Sequence, residues 1–173
     1  MSPFQNAGLA VNAVFYLTAL PFCISLEPRP IWRQAALNAP RLPDRFDETS
    51  ALDEEDYDTS PWSFAAARGH RNALEGFMDG TTMHNLVHVW VSGDMLPMSS
   101  PNDPVFFLNH CNVDRIWETW MVDNGRVYRP RANEGPSGHR VDDRMLDIFG
   151  GSMTPADVLD PEEWYTFDTL LSV

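Results

Sequence analysis

The chain has 173 residues, 43% hydrophobic and 21% charged, the composition of a globular domain able to bury a single core. Its net charge of −13 excludes nucleic acid and anionic membrane surfaces as natural partners. Two cysteines, Cys23 and Cys111, are too few and too irregularly placed for a disulfide framework; they leave the redox compartment open, and Cys111 reads as a small buried hydrophobe.

In chain order, residues 7–26 are apolar and small, with no Lys or Arg before Arg29. A secretory leader would start with basic residues, and a membrane span would carry fewer interruptions than Asn12, Thr18 and Pro21. No membrane partner is firmly indicated, a buried helix remains an option, and localisation stays open. Pro28, Pro30, Pro40 and Pro43 divide the next stretch, leaving residues 31–37 as one or two helical turns. The acidic run Asp53-Glu54-Glu55-Asp56 is expected to start a solvated helix or loop, a carboxylate metal site being remote.

A short helix is predicted over Arg71–Phe77, ending near Gly76 or Gly80. The next carries His84 and His88, which at a spacing of four stand on one face, roughly 5–6 Å apart at Cβ. Gly93 stops it. Asp103 is a good N-cap and Pro104 suits the first helical position, so a further helix starts there, places His110 in its second turn and ends at Asp123-Asn124-Gly125. Folded back across residues 93–102, the two helices can bring three neutral imidazoles around one ion, and imidazole suits copper and zinc. Asp114, one turn beyond His110, reads either as a carboxylate behind an imidazole or as an ion-pair partner of Arg115. The tail offers a capped helical turn at residues 154–160 and an alternating, strand-like stretch at 164–168.

The run His84-Asn85-Leu86-Val87-His88-Val89-Trp90, then Ser100-Pro101-Asn102-Asp103-Pro104-Val105-Phe106-Phe107-Leu108-Asn109-His110, then Asp114-Arg115-Ile116-Trp117 resembles, without gaps, the second copper half-site of the tyrosinase family. The resemblance implies a mainly α fold, half of a tyrosinase-like four-helix-bundle dicopper domain with long loops. Residues 57–173 form the copper-binding domain, its closing aromatic segment implying that the domain's C-terminus is present, while 1–56 are a divergent or truncated lead-in without likeness.

The same resemblance implies copper as cofactor, two ions in a complete site and at most one here, held by His84, His88 and His110. Glu75 and Asn85 match the pair that holds a water near copper. A phenol, with a pKa of about 10, must lose its proton to bind metal, and such a water can act as the base. Val89 matches a position beside the site entrance, and Phe106 an aromatic that packs under the ligands and frames the pocket. Asn109 departs from the pattern: many members have two adjacent histidines there, of which the second is the ligand. His110 is therefore retained, and Asn109 bears on substrate preference, not ligation.

The implied activity is that of a polyphenol oxidase or monooxygenase, oxidising phenols and o-diphenols to o-quinones with O2. Five histidines cannot build two three-imidazole sites, and of the remaining two, His70 reads as a surface residue and His139 as an exposed loop residue. The first half-site is thus expected on a longer parent product or another chain. Without it, the apolar face around Leu86, Val87, Phe106 and Phe107 is expected to be partly uncovered. The alternative is an inactive or mononuclear three-histidine metal-binding fragment, with a zinc hydrolase a weaker option. Tyrosine, a catechol and an o-aminophenol all remain open as substrate.

Overall fold

The computed structural model describes residues 30–78, 80–145 and 151–171. The apolar stretch 7–26 and Cys23 lie outside them. Among the described residues there are four α-helices and no strand: α1 Arg45–Leu52, α2 His70–Glu75, α3 Met83–Val91 and α4 Val105–Asn124. The architecture is mainly α with long connections, and no described helix is long and apolar enough to cross a membrane.

Local chemistry sets the helix ends. Asp44 caps α1 in a reciprocal box, its carboxylate accepting from Phe46 N–H at 2.9 Å while Asp47 accepts from Asp44 N–H at 2.9 Å. This box starts the helix upstream of the acidic run, so Asp53-Glu54-Glu55-Asp56 follows a helix and does not begin one. The run is put to structural use: Glu54 accepts from Gly69 N–H, and the Asp56 and Tyr57 carbonyls accept from the His70 and Arg71 N–H groups that open α2. Helix α4 is assigned from Val105, one residue later than expected. The Asp103 carboxylate still caps it by accepting from Val105 N–H at 2.9 Å, and Gly125 closes it in the left-handed region.

Helix α4 is the spine, packing against α1, α2 and α3. Its inward face supplies Val113, Ile116, Trp117, Trp120 and Met121 to a core completed by Ala51, Tyr57, Leu74, Met83, Tyr128 and Val158. Trp120 Nε1 donates to Glu54 O at 2.6 Å, so its own indole N–H is satisfied, while that of Trp117 in the same core has no hydrogen-bond partner.

Three expectations fail here. Residues 31–37 form an extended strap with a turn: Gln34 and Ala36 N–H donate to carbonyls of α3 and Trp32 N–H to Asp94, and Leu37 N–H to Gln34 O closes the turn. Residues 164–168 follow a short 3-10 turn, Pro161–Glu163, and pair with no strand; their alternation matches an aromatic cluster in which Tyr165 and Phe167 meet edge to face at 5.5 Å. His70 is fully buried, stacked on Trp120 at 4.7 Å with Nδ1–H donating to Ala51 O at 2.8 Å. The capped turn at the tail is present as Pro155–Val158.

Burial depresses the His70 pKa from 6.5 to about 4, with the Ala51 bond opposing the shift. Between these values the unfolded chain takes up a proton that the folded chain refuses. The stability present above pH 6.5 therefore drains as pH falls through about 4, by on the order of 3 kcal/mol. His70→Asn keeps the donor to Ala51 and removes the titration. Urea unfolding at pH 7 and pH 4.5 should show a smaller acid loss in this variant than in the wild type; equal losses would exclude His70 as the source.

Candidate metal centre

Gly76 explains how the first part of the site forms. It ends α2 with φ +85°, and a Cβ there would lie 2.0 Å from the Thr82 carbonyl. Only glycine lets the end of α2 approach the start of α3 so closely. The approach sets Glu75, the last residue of α2, against His84, the second residue of α3, with Glu75 Oε2 3.2 Å from His84 Nδ1.

His84 and His88 meet edge to face along α3 with ring centroids 4.6 Å apart, and His110 of α4 meets both edge to face, at 4.8 Å from His84 and 5.7 Å from His88. One ring nitrogen from each of the three lies within 4.8 Å of the others, and His84 Nε2 faces His110 Nε2 at 3.2 Å. His88 Nδ1 meets the Met95 carbonyl at 2.5 Å. A carbonyl only accepts, so Nδ1 carries the proton and the Nε2 lone pair is free; Nε2 is buried and without a hydrogen-bond partner.

The electrostatics favour neutral rings. Burial, then His84, pushes the His88 pKa to about 4, the Met95 bond opposing; burial, then His84 and His88, pushes His110 to about 2. Neutral imidazoles are what a metal needs. The donor set, its protonation and the unmet His88 nitrogen together fit a transition metal. Among the described residues no other group of histidines, cysteines or carboxylates converges in this way, so the acidic run at 53–56 holds no such site.

Phe106 is buried behind the imidazoles, stacked on His110 at 4.0 Å and edge-on to His88 at 6.1 Å. It supports the rings and does not line the open cleft. That cleft, of about 640 Å³, is bounded by Glu75, His84, Asn85, His88 and Val89, with Phe77, Leu96, Pro97 and Met98 forming its apolar side. These last four carry no motif, and only their place beside the histidines in the folded chain identifies them. Asn109 is buried, its amide nitrogen without a hydrogen-bond partner, and is not part of the cleft wall.

Asp114 is engaged by the Tyr165 hydroxyl, while Arg115 bonds Asn112 at 2.8 Å, so the Asp114–Arg115 ion pair does not form. The carboxylate beside an imidazole is Glu75. Cys111 is exposed, not buried, because it falls on the outward side of α4. The expected uncovered face is also displaced: Leu86 and Phe106 are buried within the chain, and the open surface is Phe107, 45% exposed, with Leu108, 72% exposed.

A model of the common central domain of tyrosinase matches residues 9–123. The likeness thus begins well before residue 57, where the motifs alone place its start. Tyrosinase of Streptomyces glaucescens is 42% identical over 151 residues, covering 86% of this chain and 53% of that protein. Tyrosinase of Streptomyces lincolnensis is 41% identical over 151 residues, with 86% and 54% covered. Grixazone synthase of Streptomyces griseus is 35% identical over 142 residues, with 75% and 45% covered. The chain spans about half the length of these relatives.

Burial raises the Asp114 carboxyl from its usual range to about 7 against the Tyr165 bond. A carboxyl whose folded pKa lies above its unfolded one favours the fold fully below pH 4 and loses that contribution as pH rises through 7. Asp114→Asn keeps an acceptor for Tyr165 and cannot ionise. Its Tm should exceed the wild type's by several degrees above pH 7 and by little near pH 4. A gain independent of pH would contradict the assignment.

Proposed function

The chain belongs to the tyrosinase family, and on that footing we propose that it is the portion of a copper oxidoreductase that holds one copper ion through His84, His88 and His110. The parent activity is oxidation of phenols or o-diphenols to o-quinones with O2. The observation that carries this reading is the convergence of three imidazoles from α3 and α4 beside an open cleft with an apolar side. Bound there, copper supplies redox chemistry toward O2 and a Lewis-acidic seat for a phenolic oxygen.

The chain's own residues supply the rest. Phe77, Val89, Leu96 and Met98 offer apolar surface for an aromatic ring, so the ring's hydroxyl points toward the histidines. A phenol arrives protonated at neutral pH. Glu75 and Asn85, both on the cleft wall, hold a water between them, and the Glu75 carboxylate takes the phenolic proton through that water. Glu75 Oε2 also stands 3.2 Å from His84 Nδ1, which sets a carboxylate beside that imidazole without a hydrogen bond between them.

A second three-histidine site must come from a segment or chain beyond these residues. His70 is committed to the Ala51 carbonyl and Trp120 and cannot be recruited. The exposed Phe107 and Leu108, on the same helix as His110, are the surface such a segment would cover.

Copper titration of the purified chain should give about one ion per chain, and His110→Ala should weaken binding by well over tenfold. The chain alone should form no quinone from an o-diphenol, and quinone should appear when the missing half is supplied fused or in trans. Absence of copper binding, or two coppers with sustained turnover by the chain alone, would overturn the proposal. In the reconstituted enzyme, Glu75→Gln should slow phenol hydroxylation by about a hundredfold while sparing o-diphenol oxidation, which needs less from a base. Equal losses on both substrates would remove the proton-transfer role.

A further inference from the structure

We propose that the strap Trp32–Asn38, anchored by Arg33, is a positioning device for two of the three imidazoles; this rests on the reading of His84, His88 and His110 as a copper site. The strap lies far outside the histidine motif, yet its polar contacts fall on the connection between the two ligand-bearing helices. Gln34 N–H donates to Val91 O at 3.1 Å and Ala36 N–H to Trp90 O at 2.8 Å, meeting two of the terminal carbonyls of α3 that have no partner within the helix. Trp32 and Asp94 exchange a reciprocal pair of bonds, Trp32 N–H to Asp94 Oδ2 at 2.8 Å and Asp94 N–H to Trp32 O at 2.8 Å. Asn38 Nδ2 donates to Ser92 Oγ at 2.8 Å.

These contacts fix the turn at Ser92–Met95, and that turn presents the Met95 carbonyl which sets the His88 tautomer. The seat is tight: a Cβ on Gly93 would lie 2.2 Å from the Trp32 carbonyl oxygen. Arg33 acts at the other end of the connection. Its guanidinium grips the fully buried Asp103 in a fork, Nε to Oδ2 at 2.7 Å and Nη2 to Oδ1 at 2.6 Å. Asp103 in turn receives Val105 N–H on its carboxylate and Phe106 N–H on its carbonyl, which sets the first turn of α4. Phe106 and His110 stack one turn further along. One strap thus sets the proton position on His88 and the start of the helix that aims His110.

A second arginine fork on α4 separates positioning from plain stability. Arg126 grips Glu118 through Nη1 at 2.7 Å and Nη2 at 2.6 Å toward the far end of the helix. The test is copper affinity by chelator competition, with the Cu(II) paramagnetic resonance spectrum as a second readout. Arg33→Met should weaken copper binding about tenfold and broaden the spectrum, as loss of a group that orients a ligand does. Arg33→Lys, a point charge unable to bond both oxygens, should fall between, and it decides the matter if Arg33→Met does not fold. Gly93→Ala should repeat the effect by lifting the strap. Arg126→Met should lower Tm and leave affinity and spectrum unchanged. Wild-type affinity and spectrum in the Arg33 variants, or an equal loss in Arg126→Met, would overturn the positioning role while leaving the copper site standing. A wild-type chain that binds no copper would overturn both.

Discussion

Three imidazoles converging at one largely buried point form the constraint on which this structure turns. Each ring alone would accept a proton at mildly acidic pH. At this site burial first, and the neighbouring histidines second, push His88 to about 4 and His110 to about 2. This costs stability in the metal-free chain, because burying nitrogen lone pairs without donors is unfavourable. The arrangement is held by α4, whose Trp and Met residues fill the core at one end while His110 stands at the other.

Two close backbone approaches convert that constraint into geometry. At Gly76, contact with the Thr82 carbonyl brings a carboxylate against His84; at Gly93, contact with the Trp32 carbonyl locks the turn that bonds His88. Both glycines have positive φ and both sit where a side chain would push the partner backbone away. The two imidazoles of α3 therefore meet the elements on either side of their helix in sequence, the end of α2 for His84 and the Met95 turn for His88. Phe106 closes the back, stacking on His110.

The histidine spacing, the Asp103 cap and the Gly125 stop are legible because each depends on neighbours within one or two helical turns, while the mainly α fold is what the family resemblance implies. Features set by distant partners are not legible. His70, flanked by Arg68 and Arg71, looked like a surface residue, but stacking on Trp120 fifty positions later buries it. Cys111 reads as a small buried hydrophobe from its residue type, whereas its place on the outward side of α4 leaves it exposed among the described residues. The strap at 32–38 carried no periodic signal, since its bonds run to Trp90, Val91, Asp94 and Asp103. The alternating stretch at 164–168 misleads because its alternation sets Tyr165 and Phe167 on one side, where the two rings meet each other instead of a neighbouring strand.

The exposed residues of α4 show how the work is divided along one helix. Toward its C-terminal half, the tail covers the outward face: Arg126 grips Glu118, Leu171 N–H donates to Thr119 Oγ1, and Tyr165 engages Asp114. Toward its N-terminal half, Phe107, Leu108 and Cys111 have no such cover, and this is the half that carries His110. The imidazoles themselves do not depend on that missing cover, because Phe106 and Met95 already shield them from within the chain. On the proposed reading, holding one ion and completing a two-ion site are therefore physically separable: the first would use contacts among the described residues, and the second would call for burial of the apolar face that the described residues leave open.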